Sequence, residues 1–83
     1  MAEQQAKITL IKRTVPRCPA CQMTALQLDG EGIKYDVIDI TEQPEAIEKY
    51  DLTGVPVLLI DKPDGERIRL DGFQPADKVK ALL

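Results

Sequence analysis

The feature that most constrains this chain is a pair of cysteines, Cys18 and Cys21, the only two in the sequence. They follow an apolar run at residues 7–12 that predicts a β-strand, and they precede residues 22–28, which favour a helix. A Cys-x-x-Cys at the junction of a strand and a helix is typical of a thiol–disulfide redox site. We therefore expect an α/β domain whose chemistry lies at this junction.

Length and charge limit the classes of protein to which the chain can belong. Its 83 residues predict one domain, 1–83, with the polar residues 1–6 frayed. A net charge of −3 without a basic stripe argues against nucleic-acid binding. No basic start leads into an apolar core, and no apolar run is long enough to span a membrane. We expect a cytoplasmic monomer, and in the cytoplasm a transient catalytic disulfide is more common than a structural one.

The apolar pattern predicts the order β-α-β-α-β-β-α, a four-stranded mixed sheet flanked by three helices. The second strand follows a helical connection and should lie parallel to the first. The last two strands flank a Pro-Asp-Gly turn and should form an antiparallel hairpin. The predicted strands are 7–12, 34–40, 55–60 and 66–71, and the predicted helices begin at Pro19, in the turn containing Pro44, and at Pro75. Side chains expected to face inward are Cys21, Ala25, Leu28, Ile47, Tyr50, Ile68, Leu70, Val79, Leu82 and Leu83.

The two cysteines have different predicted roles. Cys18 stands where the first helix should begin, and the unpaired N–H groups of a helix N-terminus stabilise a thiolate there. We therefore assign Cys18 as the nucleophile. Cys21 lies on the inward face of the first turn, so we expect it to be less exposed and to resolve a mixed disulfide. A rigid Pro19 and a small Ala20 keep the two sulfurs close without covering them.

Other residues are candidates for binding the substrate. Arg13 and Arg17 precede Cys18 and could make the redox end locally positive within an acidic chain. Val55-Pro56 begins the third predicted strand, and its peptide bond can be cis or trans. In redox domains with this strand order a cis proline packs against the Cys-x-x-Cys, and the residue before it offers its backbone to an extended substrate. Gly72 and Phe73 form a loop that could serve binding or only a turn.

Two other interpretations of the cysteines remain open. A Cys-x-x-Cys can be half of a zinc site, but zinc needs about four ligands and this chain has no His and no third Cys, so the metal would have to bridge two molecules. The second interpretation is a pair of inert, buried cysteines. We expect no metal site in the isolated chain.

Five stretches of the chain together resemble the glutaredoxins, and within that family they most resemble the NrdH-redoxin branch. They are residues 8–11, 35–40, 44–46, Val55-Pro56-Val57 and Gly72-Phe73-Gln74-Pro75. The resemblance implies a thioredoxin fold and electron donation to class Ib ribonucleotide reductase. It also implies reduction by thioredoxin reductase, with NADPH as the indirect electron source and no cofactor bound to the chain itself.

Three departures keep alternatives open. Glutaredoxins that use glutathione usually carry a Gly-Gly-x-Asp-like element where this chain has Asp71-Gly72-Phe73-Gln74. Conversely, Pro19-Ala20 between the cysteines is more typical of glutaredoxins and thioredoxins than of NrdH-redoxins. The loop before Cys18 is about two residues longer than usual, so the family's basic residue there maps to Arg13 or to Arg17. The alternatives are a glutathione-dependent dithiol glutaredoxin and a binding module in which two chains share an iron–sulfur cluster through Cys18.

Overall fold

The computed structural model describes residues 6–83, and the expectation that the first residues are frayed therefore falls, for residues 1–5, outside the described part. Ala6 packs against the hydrophobic core. No helix among the described residues has the length and apolarity that a membrane crossing requires.

The elements follow the predicted order: β1 (Lys7–Lys12), α1 (Pro19–Gly30), β2 (Asp36–Asp39), α2 (Ala46–Lys49), β3 (Val57–Asp61), β4 (Arg67–Asp71) and α3 (Ala76–Ala81).

The four strands form one mixed sheet in the order β2-β1-β3-β4. β1 pairs in parallel with β2 and antiparallel with β3, and β3 and β4 form the predicted antiparallel hairpin. β1 is therefore a central strand, and its four consecutive buried residues, Ile8 to Ile11, fit a strand covered on both faces. The C-terminal end of this central strand leads directly to Cys18.

Alternate residues of the central strands contribute to two hydrophobic clusters, one on each face of the sheet. One cluster joins Ile8 and Leu10 to Leu28 of α1 and Val79 of α3. The cluster on the other face contains Ile11, Val57 and Leu59, and the partly buried side chains packed against it include Ile38, Tyr50 and Leu52. α1, which follows Cys18, is thus anchored against a rigid sheet.

Both ends of α1 follow from local sequence. Pro19 is the first helical residue, where its missing N–H costs no intrahelical hydrogen bond. At the other end Gly32 adopts a left-handed conformation with φ 69°, as the glycines after Leu28 predicted. The N–H of Ile33 donates to Leu28 O and that of Gly32 to Asp29 O, and both Leu28 and Ile33 belong to the core. This is a Schellman cap with its apolar contact, so the helix has a defined length.

The structure corrects several predicted boundaries and orientations. β2 spans Asp36–Asp39 rather than residues 34–40, since its pairing with β1 runs only from Thr9–Asp36 to Lys12–Asp39. β3 begins at Val57 rather than residue 55, and Val55 and Pro56 form the approach to it. The inward orientation predicted for Ile47 is wrong, because α2 is a single turn that buries Ala46 and leaves Ile47 42% exposed. Leu83 is 56% exposed because α3 ends at Ala81.

Candidate active site

Cys18 and Cys21 form a disulfide at the N-terminus of α1, with their Cα atoms 5.2 Å apart. Cys18 is the N-cap residue, and its Sγ accepts a hydrogen bond of 3.1 Å from the backbone N–H of Cys21. A sulfur at an N-cap lies next to amide groups that have no partner within the helix, and these groups favour negative charge on it. The geometry therefore suits Cys18 for carrying a thiolate after reduction.

Both sulfur-bearing residues are buried in the disulfide state, Cys18 at 4% and Cys21 at 2% exposure. Burial therefore does not separate an attacking from a resolving thiol, and the assignment of these roles stays a prediction. Pro19 is exposed and Ala20 is half-buried. The carbonyl of Ala20 accepts a hydrogen bond of 2.9 Å from the buried hydroxyl of Thr24, which fastens the first turn that carries both cysteines.

An open cleft of about 400 Å³ lies beside the disulfide, between the end of β1 and one side of α1. Both cysteines reach its wall, so a partner thiol entering the cleft would meet the disulfide. A larger hollow of about 800 Å³ lies at the far end of β1 and β2 and contains neither cysteine, so the smaller cleft is the chemically relevant one. The cleft is lined by Lys12, Arg13, Thr14, Cys18, Cys21, Gln22, Ala25 and Leu26.

Arg13 and Arg17 occupy different environments. The guanidinium of Arg13 donates from Nε to Pro16 O at 3.0 Å and from Nη2 to Arg17 O at 3.4 Å, so it spans the loop that precedes Cys18. Arg17 is exposed and contributes its carbonyl to that contact. Among residues 6–83 neither arginine, nor Lys12 in the cleft, forms an ion pair within 4.0 Å of a carboxylate. Their positive charges are therefore not neutralised by a carboxylate at ion-pair distance within the described residues.

Sequence reasoning missed a second set of residues that hold this loop. The backbone N–H of Thr14, which follows β1, donates to the hydroxyl oxygen of Thr41, which follows β2. The Thr14 hydroxyl donates to Asp39 Oδ2. That bond is the main reason why the pKa of the Asp39 carboxyl lies below its usual value, while partial desolvation acts in the opposite direction. The spacing Asp39-x-Thr41 is a turn signal in the sequence. The pairing with Thr14 joins residues far apart in the chain and had no local signal.

Val55, Pro56 and Gly72 form a connected unit beside the end of β1. The Val55–Pro56 peptide bond is cis, a state that the sequence left open, and the Val15–Pro16 bond is also cis. Pro56 is fully buried, and its carbonyl accepts a hydrogen bond of 2.8 Å from the N–H of Gly72. Gly72 has φ 86°, a conformation that favours glycine. The loop that contains Gly72 is thus attached directly to the cis proline.

The next two residues of this loop differ in exposure: the side chain of Phe73 is exposed and that of Gln74 is buried. Phe73 is 44% exposed, which leaves much of its ring open to a partner. The side chain of Gln74 is buried, and its Nε2 donates to the carbonyls of Asp71 and Gly72 at 3.2 and 3.4 Å. The buried amide therefore fixes the backbone that presents Phe73.

A groove of about 220 Å³ lies beside Val55. Arg13 lines both this groove and the cleft beside the cysteines. Ile47 is the exposed apolar residue of the groove. The remaining lining residues are Ile40, Leu52, Thr53, Gly54 and Val55. Within the part of the chain that the structure describes, no three His, Cys, Asp or Glu side chains form a group suited to a metal ion.

The amino-acid sequence is similar to those of known redox proteins. A sequence model described as Glutaredoxin matches residues 8–63, which include both cysteines and Val55-Pro56. The SPbeta prophage-derived thioredoxin-like protein YosR of Bacillus subtilis is 34% identical over 67 residues, covering 80% of this chain and 84% of that protein. The family model ends before the Gly72-Phe73 loop, whereas thioredoxin of Bacillus subtilis is 32% identical over 89 residues, covering 99% of this chain and 85% of that protein.

Solved structures show the same fold. Chloroplastic thioredoxin z superposes with a TM-score of 0.84 at 24% identity, covering 96% of this chain and 76% of that one. Escherichia coli NrdH-redoxin superposes with a TM-score of 0.72 at 22% identity, covering 93% and 95% of the two chains. That protein is described as glutaredoxin-like with a thioredoxin-like activity profile. The predicted thioredoxin fold is confirmed.

Proposed function

The chain belongs to the glutaredoxin family of the thioredoxin superfamily and is a thiol–disulfide oxidoreductase, and from that premise we propose that it is a dithiol electron donor to protein disulfides. The observation that carries the proposal is the Cys18–Cys21 disulfide at the N-terminus of α1, open to a cleft on one side. The donor acts in the cytosol as a monomer, and its acceptor is a class Ib ribonucleotide reductase or another protein with an accessible disulfide.

The reaction needs two sulfur exchanges. The Cys18 thiolate attacks one sulfur of the substrate disulfide, forms a mixed disulfide and releases the other sulfur as a thiolate. Cys21 then loses its proton and attacks Cys18 Sγ, which expels the second substrate sulfur as a thiolate. The substrate gains two electrons, the protein regains the Cys18–Cys21 disulfide, and solvent protonates the released thiolates. In the closed ring the two Cα atoms are 5.2 Å apart, within the usual range for a disulfide.

Thioredoxin reductase, supplied by NADPH, is the proposed reductant. The Gly72 loop is poorly suited to glutathione, whose carboxylate would need free backbone N–H groups there. The N–H of Gly72 is already donated to Pro56 O at 2.8 Å. Asp71 stands where the other glycine of that element would be, and Phe73, which follows Gly72, has a side chain that is 44% exposed. This loop therefore supports binding of an apolar protein surface better than binding of a small anionic peptide.

A second candidate is a dithiol glutaredoxin reduced by glutathione. Two features favour it: Pro19 follows the first cysteine, as in many glutaredoxins, and the cleft beside Cys18 carries Lys12 and Arg13 without carboxylate partners among residues 6–83. Those cations could take the carboxylates of glutathione.

Two parallel assays separate these reductants. The oxidised protein is mixed with NADPH and thioredoxin reductase in one reaction, and with NADPH, glutathione and glutathione reductase in the other. The proposal predicts NADPH consumption that depends on this protein in the first reaction only. Consumption in the second reaction alone would make the chain a glutathione-dependent glutaredoxin. The Cys18→Ser variant, which cannot form the disulfide, is the blank for both.

A further inference from the structure

The segment Thr14–Arg17 connects the end of β1 to Cys18 and has no regular secondary structure. All four of its residues are exposed, so the hydrophobic core does not fix its path. Five of its seven backbone N–H and C=O groups are nevertheless hydrogen-bonded within the described residues. All five partners are side-chain atoms of Thr41 or Arg13.

The register of the sheet brings Thr41 opposite this segment. β1 and β2 pair in parallel with Lys12 beside Asp39, and the pairing extends one step further, with the N–H of Ile40 donating to Lys12 O at 2.8 Å. Two residues on from the Lys12–Asp39 pair, Thr14 and Thr41 therefore lie next to each other. The contact is a consequence of strand register and does not depend on the positions of long, flexible side chains.

The hydroxyl of Thr41 uses its full bonding capacity on this segment. Its Oγ1 accepts from the N–H groups of Thr14 and Val15, both at 3.0 Å, and donates to Val15 O at 3.3 Å. A hydroxyl has one donor and two acceptor positions, so no capacity is left for water. The Thr41 side chain thus takes the place of a neighbouring strand for the backbone of residues 14 and 15.

Asp39 orients both threonines. Its Oδ1 accepts from the N–H of Thr41 at 2.9 Å, and its Oδ2 accepts from the hydroxyl of Thr14. Hydrogen bonds to a charged acceptor are shorter and stronger than neutral ones. The carboxylate therefore fixes the turn that presents the Thr41 hydroxyl and holds the side chain of Thr14 against β2.

We propose that Thr41 and Asp39 are positioning residues for Cys18, holding the Thr14–Arg17 segment so that the attacking sulfur stays at the N-terminus of α1. Arg13 holds the other side of the segment through the carbonyls of Pro16 and Arg17. The proposal rests on the proposed function, because it assigns to Cys18 the attack on the substrate. Neither Thr41 nor Asp39 lines the cleft that contains the cysteines, so their effect passes through the loop.

The decisive comparison is Thr41→Val against Thr41→Ser. Valine keeps the shape of threonine and removes all three hydrogen bonds, whereas serine keeps the hydroxyl. With insulin as the disulfide substrate, we expect Thr41→Val to lower kcat/KM about tenfold or more, because displacing a reacting group by about 1 Å costs up to about a hundredfold in rate. Thr41→Ser should exchange at a rate close to that of the unmodified chain. Asp39→Asn should fall between the two.

Two further readouts separate positioning from general damage. The pH dependence of Cys18 alkylation by iodoacetamide reports the thiolate fraction, and Thr41→Val should shift the profile to higher pH while Thr41→Ser leaves it in place. The control is Asp64→Asn, since Asp64 accepts the N–H of Glu66 at 2.9 Å in an equivalent exposed turn at the opposite end of the sheet. Urea unfolding establishes that each variant is folded under the assay conditions.

The outcomes are distinguishable. Exchange by Thr41→Val and Asp39→Asn at the rate of the unmodified chain would overturn the positioning role. Equal losses in Thr41→Ser and Thr41→Val would also overturn it, because the hydroxyl would then be irrelevant. If Thr41→Val does not fold, Asp39→Asn carries the test with Asp64→Asn beside it. Failure of the unmodified chain itself to reduce insulin would contradict the proposed function instead.

Discussion

Reduction of the Cys18–Cys21 disulfide should lower the free energy of unfolding by about 1 to 2 kcal/mol. The bond joins residues three apart and so closes a ring of four residues. In the chain-entropy treatment, a cross-link of that size lowers the conformational entropy of the unfolded chain, which raises the free energy of unfolding by about 2 kcal/mol. In the reduced protein, a Cys18 thiolate at the N-terminus of α1 recovers about 0.3–1 kcal/mol through the helix dipole. By linkage, the disulfide should be harder to reduce in the folded protein than in the unfolded chain by the same amount.

Urea unfolding with and without a phosphine reductant measures this difference. The chain has no tryptophan, so far-ultraviolet circular dichroism is the suitable signal. The Cys21→Ser variant is the control, because it has no disulfide and its stability should not respond to the reductant. A reduced protein as stable as the oxidised one would refute the reasoning, since ring closure would then add nothing beyond what the thiolate recovers.

Three other predictions concern the site, its pH dependence and its scaffold. Cys18→Ser should abolish insulin reduction, whereas Cys21→Ser should accumulate a mixed disulfide that is visible on non-reducing gels; free turnover by Cys21→Ser would contradict the role given to the resolving thiol. Because the pKa of Asp39 is lowered in the folded state, its stabilisation is present above the unfolded value of about 3.9 and is lost as pH falls through the folded value. The stability difference between the unmodified chain and Asp39→Asn should therefore shrink below about pH 4; a difference that grows in acid would refute the sign. Leu28→Ala removes a fully buried side chain from the core and should cost about 3 kcal/mol in urea unfolding, and a loss below about 1 kcal/mol would mean that α1 is anchored elsewhere.

The order of elements was predictable because each depends on local signals. The buried run of β1, the alternation of Ile68 and Leu70 in β4, and the left-handed Gly32 after α1 each act within a few residues. The short α2 was harder to predict. Asp51, which is not a glycine, takes a positive φ of 52° immediately after the helix, and the exposure of Ile47 follows from a single helical turn.

The site was only partly predictable, because some of its contacts join residues that are far apart in the sequence. Cys18, Cys21 and the proline at residue 56 carry recognisable local motifs, and the structure brings Arg13, Val55 and Gly72 near them. The hydrogen bonds from Thr41 and Asp39 to the loop depend on the register of β1 against β2, which no short stretch of sequence specifies. The state of the Val55–Pro56 bond was also left open by the sequence, because a bond before proline can be cis or trans.

The central claim is that Cys18, and not Cys21, begins the exchange. Fully reduced protein is treated with less than one equivalent of iodoacetamide at neutral pH, and the modified cysteine is located by mass spectrometry of peptides. The account predicts that the label lies on Cys18, because its sulfur caps α1 and receives the N–H of Cys21. Label divided equally between the cysteines, or found on Cys21, would contradict it.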